Sequence, residues 1–321
     1  MAFEPPLFVE GLDAPPVRRY GGPVIDAHTH MDRVEDARLL FDVAAAFGVR
    51  VLCGVSRPAS IEVLARAFGD AYRPIVRIDH SLIGHPDRFA RENVRAIRQA
   101  RAHGAVAGKF WYAPRFVAET AFRFDSPVLA PVFEALAELG MPALVHIGDP
   151  DCFFRTQYAD AARFGDKAAQ YAMLEHTLAA FPTLKVQGAH FGGDPEDLAH
   201  LRRLLDTYPN YYMDSSATKW IARELAVRPA EARAFVIERA DRIVFGSDLV
   251  TFAEAGRADY ASRYWVHRWL WEGEGPRPSP IPDPCVPWPE GPRVHGLALP
   301  DDVLAKLYTQ NAARLLGISV P

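Results

Sequence analysis

Short apolar runs recur along the chain, separated by longer stretches whose apolar positions have helical spacing. Residues 24–31, 49–55, 72–78, 105–112, 142–147, 184–189, 211–214 and 242–246 read as strands. Their apolar character is nearly continuous rather than alternating, which fits parallel strands covered on both faces. Between them, 35–47 places Leu39, Leu40, Val43, Ala44 and Phe47 on one helical face. Residues 60–68, 86–102, 127–139, 166–181, 195–208, 229–240 and 300–316 read as helices in the same way, with Gly48, Gly104, Gly140 and Gly317 as stops.

Eight strand–helix units in regular alternation predict an α/β fold, a single (β/α)8 barrel. A doubly wound open sheet is the competing architecture. No Gly-x-Gly-x-x-Gly follows any of the strands, and Phe110 stands where a phosphate loop after Gly104 would need Ser or Thr. Residues 1–23, with Pro5, Pro6, Pro15 and Pro16, read as an N-terminal arm, and 24–321 as the barrel. Residues 273–292 hold eight prolines and read as an extended, semi-rigid insertion after strand eight. It either walls the mouth of the barrel or mediates contact between copies.

Composition narrows the class. The chain has 321 residues, 49% of them hydrophobic, and a formal net charge of -4. That balance gives no electrostatic case for nucleic acid or an anionic membrane surface. No uncharged apolar run approaches the length of a membrane span, and the first residues lack the charged and apolar regions of a signal peptide. The three cysteines, Cys53, Cys152 and Cys285, are widely spaced and odd in number. They imply no disulfide framework and a reducing, cytoplasmic setting.

Chemistry concentrates at the strand ends. His28 and His30 close strand one, His146 strand five and His190 strand six, and Asp248 follows strand eight. Strand side chains have a period of two, so His28 and His30 share a face. In a barrel all five converge on the C-terminal mouth. Imidazole and carboxylate are ligands for zinc or another borderline divalent ion with positions open to water and substrate. Trp111, Lys219, Trp220 and Arg223 follow strands four and seven. Lys219 and Arg223 are placed to meet an anionic substrate group, Arg223 by two parallel hydrogen bonds, and Trp111 to line an aromatic wall.

His28-Thr29-His30, the Val-His146 and Ala-His190 strand ends and Phe-Gly-Ser-Asp248 resemble the signature of the amidohydrolase superfamily. The segments 139–146 and 311–316 are similar to the fifth strand and closing helix of its amidohydrolase-related (amidohydrolase 2) branch, which includes aminocarboxymuconate-semialdehyde decarboxylase-like enzymes. The likeness spans roughly residues 22–318, apart from the proline-rich insertion. It implies that His28, His30, His146 and Asp248 hold one divalent metal ion, Zn2+ or another such as Mn2+, and that His190 is a catalytic acid/base or oxyanion partner, or a ligand to a second metal; Asp248 is also placed to accept the proton of a metal-bound water. Lys109 lies on strand four, where binuclear relatives carry a carboxylated lysine between two ions. The implied activity is a metal-dependent hydrolase acting on an amide, ester or lactone of a small molecule; the alternative is non-oxidative decarboxylation of a small aromatic or enoic acid. The outer helices and the long insertion leave room for a homo-oligomer.

Overall fold

The computed structural model describes residues 4–286 and 291–319. Its strands are β1 (Val24–His30), β2 (Val49–Ser56), β3 (Tyr72–Arg77), β4 (Ala107–Tyr112), β5 (Ala143–Ile147), β6 (Val186–Gly188), β7 (Tyr211–Asp214), β8 (Ile243–Val244) and β9 (Leu249–Val250). They form one parallel sheet in the order β8-β7-β6-β5-β4-β3-β2-β1-β9. The eighth strand of the barrel is therefore broken in two. β8 pairs with β7, and β9 pairs with β1. Between them Phe245 accepts from the Ala27 amide at 2.8 Å, so the broken strand joins β7 to β1 and the curled sheet is TIM-barrel-like with helices outside.

Two apolar layers hold it. Ile25, Val51, Cys53, Val55, Ile75, Leu144 and Val244 fill the interior, with Leu315 and Leu316 of the closing helix packed beneath. Residues of opposite parity, such as Leu52, Val76, Phe110 and Val145, face the helices. Alternation along each parallel strand thus divides one apolar run between two cores.

β1 breaks that alternation. Ile25 pairs with Val51, while His30 pairs with Val55, so β1 has one residue more than β2 over the same length. In an unbroken strand His28 and His30 would share the outward face of Asp26. The irregularity between Asp26 and Thr29 flips the parity and turns both histidines to the mouth. Asp26 stays behind and stitches the seam. Its carboxylate accepts from the Ser247 amide at 3.0 Å, the His28 amide at 3.2 Å and the Tyr264 hydroxyl at 2.8 Å.

Two expectations are corrected. The insertion is not simply an extended loop: β10 (Glu274–Pro278) and β11 (Arg293–Leu297) make an antiparallel hairpin. Pro276 and Pro278 are tolerated because this two-stranded ribbon leaves each strand one unpaired edge. Pro287 and Pro289 lie outside the described residues. The hairpin packs on the helix Arg257–Glu272, where the Arg277 guanidinium sits 4.4 Å from the Trp269 ring centre. The second correction concerns the cysteines. Cys152, in the segment after β5, is disulfide-bonded to Cys285 beyond β10, with Cα atoms 6.2 Å apart. A pair separated by 133 residues leaves no spacing pattern to read.

The arm lies against the barrel. The Leu7 amide donates to Pro280, and the Arg19 and Tyr20 amides donate to the Glu272 carboxylate. Among the described residues no helix is long and apolar enough to cross a membrane.

Candidate active site

Five of the strand-end residues meet at the mouth. His28 is fully buried, while the side chains of His30 and Asp248 are 27% and 30% exposed and open to solvent. The Asp248 Oδ1 lies 3.3 Å from His28 Nε2 and 3.0 Å from His30 Nε2, and the two imidazole nitrogens are 3.2 Å apart. Two ligands at ~2.1 Å from one ion and roughly 90–110° apart are ~3.0–3.4 Å from each other. The three contacts fall in that range, so the donor set fits a divalent cation.

Each imidazole is oriented from behind. His28 Nδ1 faces Asp214 Oδ2 at 2.9 Å, which puts the proton on Nδ1 and turns the Nε2 lone pair to the triad. His146 repeats the device, with Nε2 at 2.9 Å from Asp149 Oδ1. Its Nδ1 faces His190 Nε2 at 3.0 Å. His190 Nδ1 lies 2.8 Å from the Ser216 hydroxyl, which donates to Asp214. Asp214 also accepts from the Gln187 amide at 2.8 Å and the His190 backbone N–H at 2.9 Å. One polar chain therefore runs from Asp149 through His146, His190, Ser216 and Asp214 to His28.

Backbone strain marks two members. His190 and Asp248 adopt φ of 61° and 59°, a left-handed conformation that side chains disfavour. Local bonds hold it. Asp248 donates its amide to the His28 carbonyl at 2.7 Å, and His190 donates its amide to Asp214.

The electrostatics follow from burial and pairing. Burial drives the His28 and His190 pKa values down, so both rings are neutral and available as ligand or acid/base. Burial alone would raise Asp248, but the surrounding imidazoles hold it well below the usual carboxylate range. Asp214 is likewise held low, against its burial, by His28 and its other donors. Burial pushes the Lys109 ammonium down to about 8, against the pull of Asp248 and Asp214. Its Nζ lies 3.0 Å from His28 Nε2, at the edge of the triad. As an ammonium it donates to that nitrogen; only as a neutral amine or carbamate is it a ligand.

The other sequence candidates divide. Trp220 stands over the histidines, its ring 5.3 Å from His190 and 6.3 Å from His146. Trp111 is 45% exposed and 6.3 Å from His146 on the opposite side. Arg223 is turned away: its guanidinium binds Glu224 at 2.6 Å and Asp283, whose side chain is 2% exposed. Lys219 is half-buried and makes no ion pair among the described residues. Asp214 and Ser216 were not singled out from sequence. Asp214 ends strand seven, and the strand-end rule applied to the histidines would have found it. A further acidic group, Asp151, Asp194 and Glu196, already encloses the Lys167 ammonium and is an ion-pair network.

A parallel barrel with histidines and a carboxylate gathered at its C-terminal mouth defines a class of metal-site enzyme scaffold. The family model described as Amidohydrolase, of the amidohydrolase 2 branch, matches residues 25–318, and the chain belongs to that family. Solved structures agree on the fold. A TIM-barrel protein from Bordetella bronchiseptica superposes with a TM-score of 0.59 at 16% identity, over 92% of this chain and 98% of that one. The 5-carboxyvanillate decarboxylase of Sphingomonas paucimobilis gives 0.52 at 14%, over 92% and 99%. The 4-oxalomesaconate hydratase of Rhodopseudomonas palustris gives 0.54 at 15%, over 92% and 95%. No curated protein matches the chain.

Proposed function

We propose that this enzyme is a metal-dependent hydrolase of small molecules, using one divalent ion, zinc foremost, held by His28, His30, His146 and Asp248. The observation that carries the reading is the mutual spacing of His28 Nε2, His30 Nε2 and Asp248 Oδ1, which matches the separations between ligands of one divalent ion. His146 stands beside the triad with Nε2 on Asp149 and Nδ1 facing His190, so it would join the set through Nδ1. The chemistry such an ion supplies is Lewis acidity toward water and toward a carbonyl or carboxylate oxygen.

The chain's own groups do the rest. Asp248, ionised and partly open to solvent, accepts the proton of the attacking water. His190, neutral with its Nδ1 proton on Ser216, takes up at Nε2 the proton that Asp248 removes from the water and passes it to the leaving group; Ser216 and Asp214 fix its ring. Trp220 and Trp111 bound the space beside this pair. Lys109 serves as a neighbouring cation, or as a bridge if carbamylated and paired with a second ion.

Decarboxylation of a small aromatic or enoic acid is the second reading. It is favoured by the separation of roles: His190 has hydrogen-bond partners distinct from those of Asp248, so it can protonate a carbon while carbon dioxide leaves. Elemental analysis of protein purified without chelator, followed by assay on lactones, esters, amides and aromatic acids with detection of carbon dioxide, tests both. About one ion per chain with metal-dependent turnover is the expected result. Protein that never takes up metal overturns the metal-dependent reading.

A further inference from the structure

The mouth is open on one side and roofed on the other. On the β2–β3 side a cavity of about 930 Å³ runs up to His30, Lys109 and Trp111. On the other side Trp220 lies over His146 and His190, and His190 beneath it is only 2% exposed. Trp220 belongs to the first turn of the helix Thr218–Val227, which follows β7.

Two distant parts of the chain hold this roof. From the segment after β5, Phe153 packs edge-on against Trp220, with ring centres 5.2 Å apart. The same segment carries Asp149, which orients His146, and Tyr158, whose hydroxyl donates to Asp149 at 2.9 Å. From the insertion, Asp283 pairs with Arg223, about one turn beyond Trp220 on the same helix. Asp283 also accepts from the Cys285 amide at 3.0 Å. Cys285 is bonded in turn to Cys152, the neighbour of Phe153. Segment, disulfide, insertion and helix thus close a ring around Trp220.

The disulfide is the weak link of that ring. Among the described residues no hydrogen bond or ion pair joins 149–158 directly to 279–286, so the S–S bond alone ties them. One side is the short helix Asp151–Arg155 and the other is irregular backbone, and such segments open locally at little cost. Cys152 and Cys285 are both half-buried, whereas Cys53 is buried in the barrel interior. Thiol–disulfide exchange needs a thiolate to reach a sulfur, so a partly open bond reacts where a buried one is inert.

We propose that the Cys152–Cys285 bond is a redox clasp on the mouth: a dithiol opens it, and the Phe153–Trp220 roof then lifts from His146 and His190 while the barrel stays folded. A thiolate of the dithiol attacks one sulfur of the pair. The S–S bond breaks to leave a mixed disulfide and a protein thiolate, and the second thiol of the reagent then displaces the remaining protein sulfur. Two electrons and two protons pass to the protein; both cysteines end as thiols and the reagent leaves as its own disulfide. Oxidised protein is closed on this side, and reduced protein admits solvent and ligand to His190. The clasp goes beyond the reaction assigned above, which needs no redox change in the chain.

The test treats the protein as purified with dithiothreitol, caps freed thiols with iodoacetamide, and reads histidine access by diethyl pyrocarbonate labelling and peptide mass spectrometry. Cys152 and Cys285 should be capped and Cys53 not. Labelling of His190 is expected to rise roughly tenfold, with faster amide hydrogen exchange in 149–158 and 218–224, while exchange in β1–β4 and labelling of His30 stay within about twofold. The double variant Cys152→Ser/Cys285→Ser should show the reduced pattern without reagent and no response to dithiothreitol. Cysteines that the dithiol cannot reach in the folded protein, or His190 labelling that stays unchanged once both are capped, overturn the proposal. Exchange that rises equally across the barrel strands also overturns it, since the bond is then a staple of the whole fold. Neither readout needs metal or substrate, so the clasp and the metal-dependent reading fail separately.

Discussion

The two halves of the barrel mouth are built differently. On the β5–β8 side most of the charges near the mouth are paired: Lys167 with three carboxylates, Arg223 with Asp283 and Glu224, and His146 with Asp149, while Lys219 makes no ion pair among the described residues. The Cys152–Cys285 disulfide and the Trp220 ring close that half over the histidines. On the β1–β4 side the cavity is open, and among the described residues the guanidinium groups of Arg77 and Arg88 have no firm partner. The contrast separates tasks. A saturated half preorganises the proton-transfer groups, because a fully bonded buried network has few alternative arrangements.

The largest effects should come from breaking the point where the halves meet. His28→Ala or Asp248→Ala removes a ligand from the triad, and metal content should fall from about one per chain to near zero, with turnover at background. Elemental analysis and assay of the same preparation read this directly; retained metal would show that the triad is not the site. His190→Gln breaks only the preorganised half. Metal should remain while kcat falls by roughly 10²–10⁴-fold, the usual contribution of a positioned acid/base. Loss of metal in this variant would place His190 among the ligands and argue for a second ion.

Asp214→Asn tests the support behind both histidines. The change removes the charge that fixes the His28 tautomer and loosens Ser216 under His190. Metal affinity should weaken by roughly 10–100-fold, measured by competition with a chromogenic chelator. An unchanged affinity would mean that backbone and packing alone orient His28.

Cys152→Ser sharpens the contrast from the structural side. The bond closes a long stretch of chain, so its loss should lower stability by about 2–5 kcal/mol, read as a lower denaturant midpoint, with metal content unchanged. A midpoint equal to that of the parent protein under oxidising conditions would show that the clasp on the closed half adds nothing to stability.

The difference between the halves also marks where the chain could be read in advance. The strands were legible because parallel strands buried on both faces are continuous apolar runs, and the histidines because chemistry gathers at strand ends. The extra residue in β1 was not, since a bulge is a property of pairing between two strands and leaves no mark on one of them. Asp214 looked like the ordinary polar end of a strand. The hairpin was hidden by Pro276 and Pro278, which argue against strand unless one edge is free. The balance of charge was least legible of all. Arg77, Arg88 and Arg223 are alike in sequence, and only the fold delivers Asp283 to Arg223 and nothing comparable to the other two.

That last difference yields the prediction with the smallest effect on catalysis. Arg223 sits after β7 with Trp220 and Lys219, in the position where sequence alone puts an anion clamp, yet its guanidinium is already spent on Asp283 and Glu224. Arg223→Met should therefore leave KM for a carboxylate-bearing substrate within about twofold. Its cost should fall on stability. The Asp283 carboxylate would keep only the Cys285 amide at 3.0 Å, and a buried carboxylate stripped of its cation costs about 3–5 kcal/mol. A KM that rises tenfold or more with stability intact would reverse the assignment: the closed half would then recognise the substrate, and Asp283 would be a counter-ion that a substrate anion displaces.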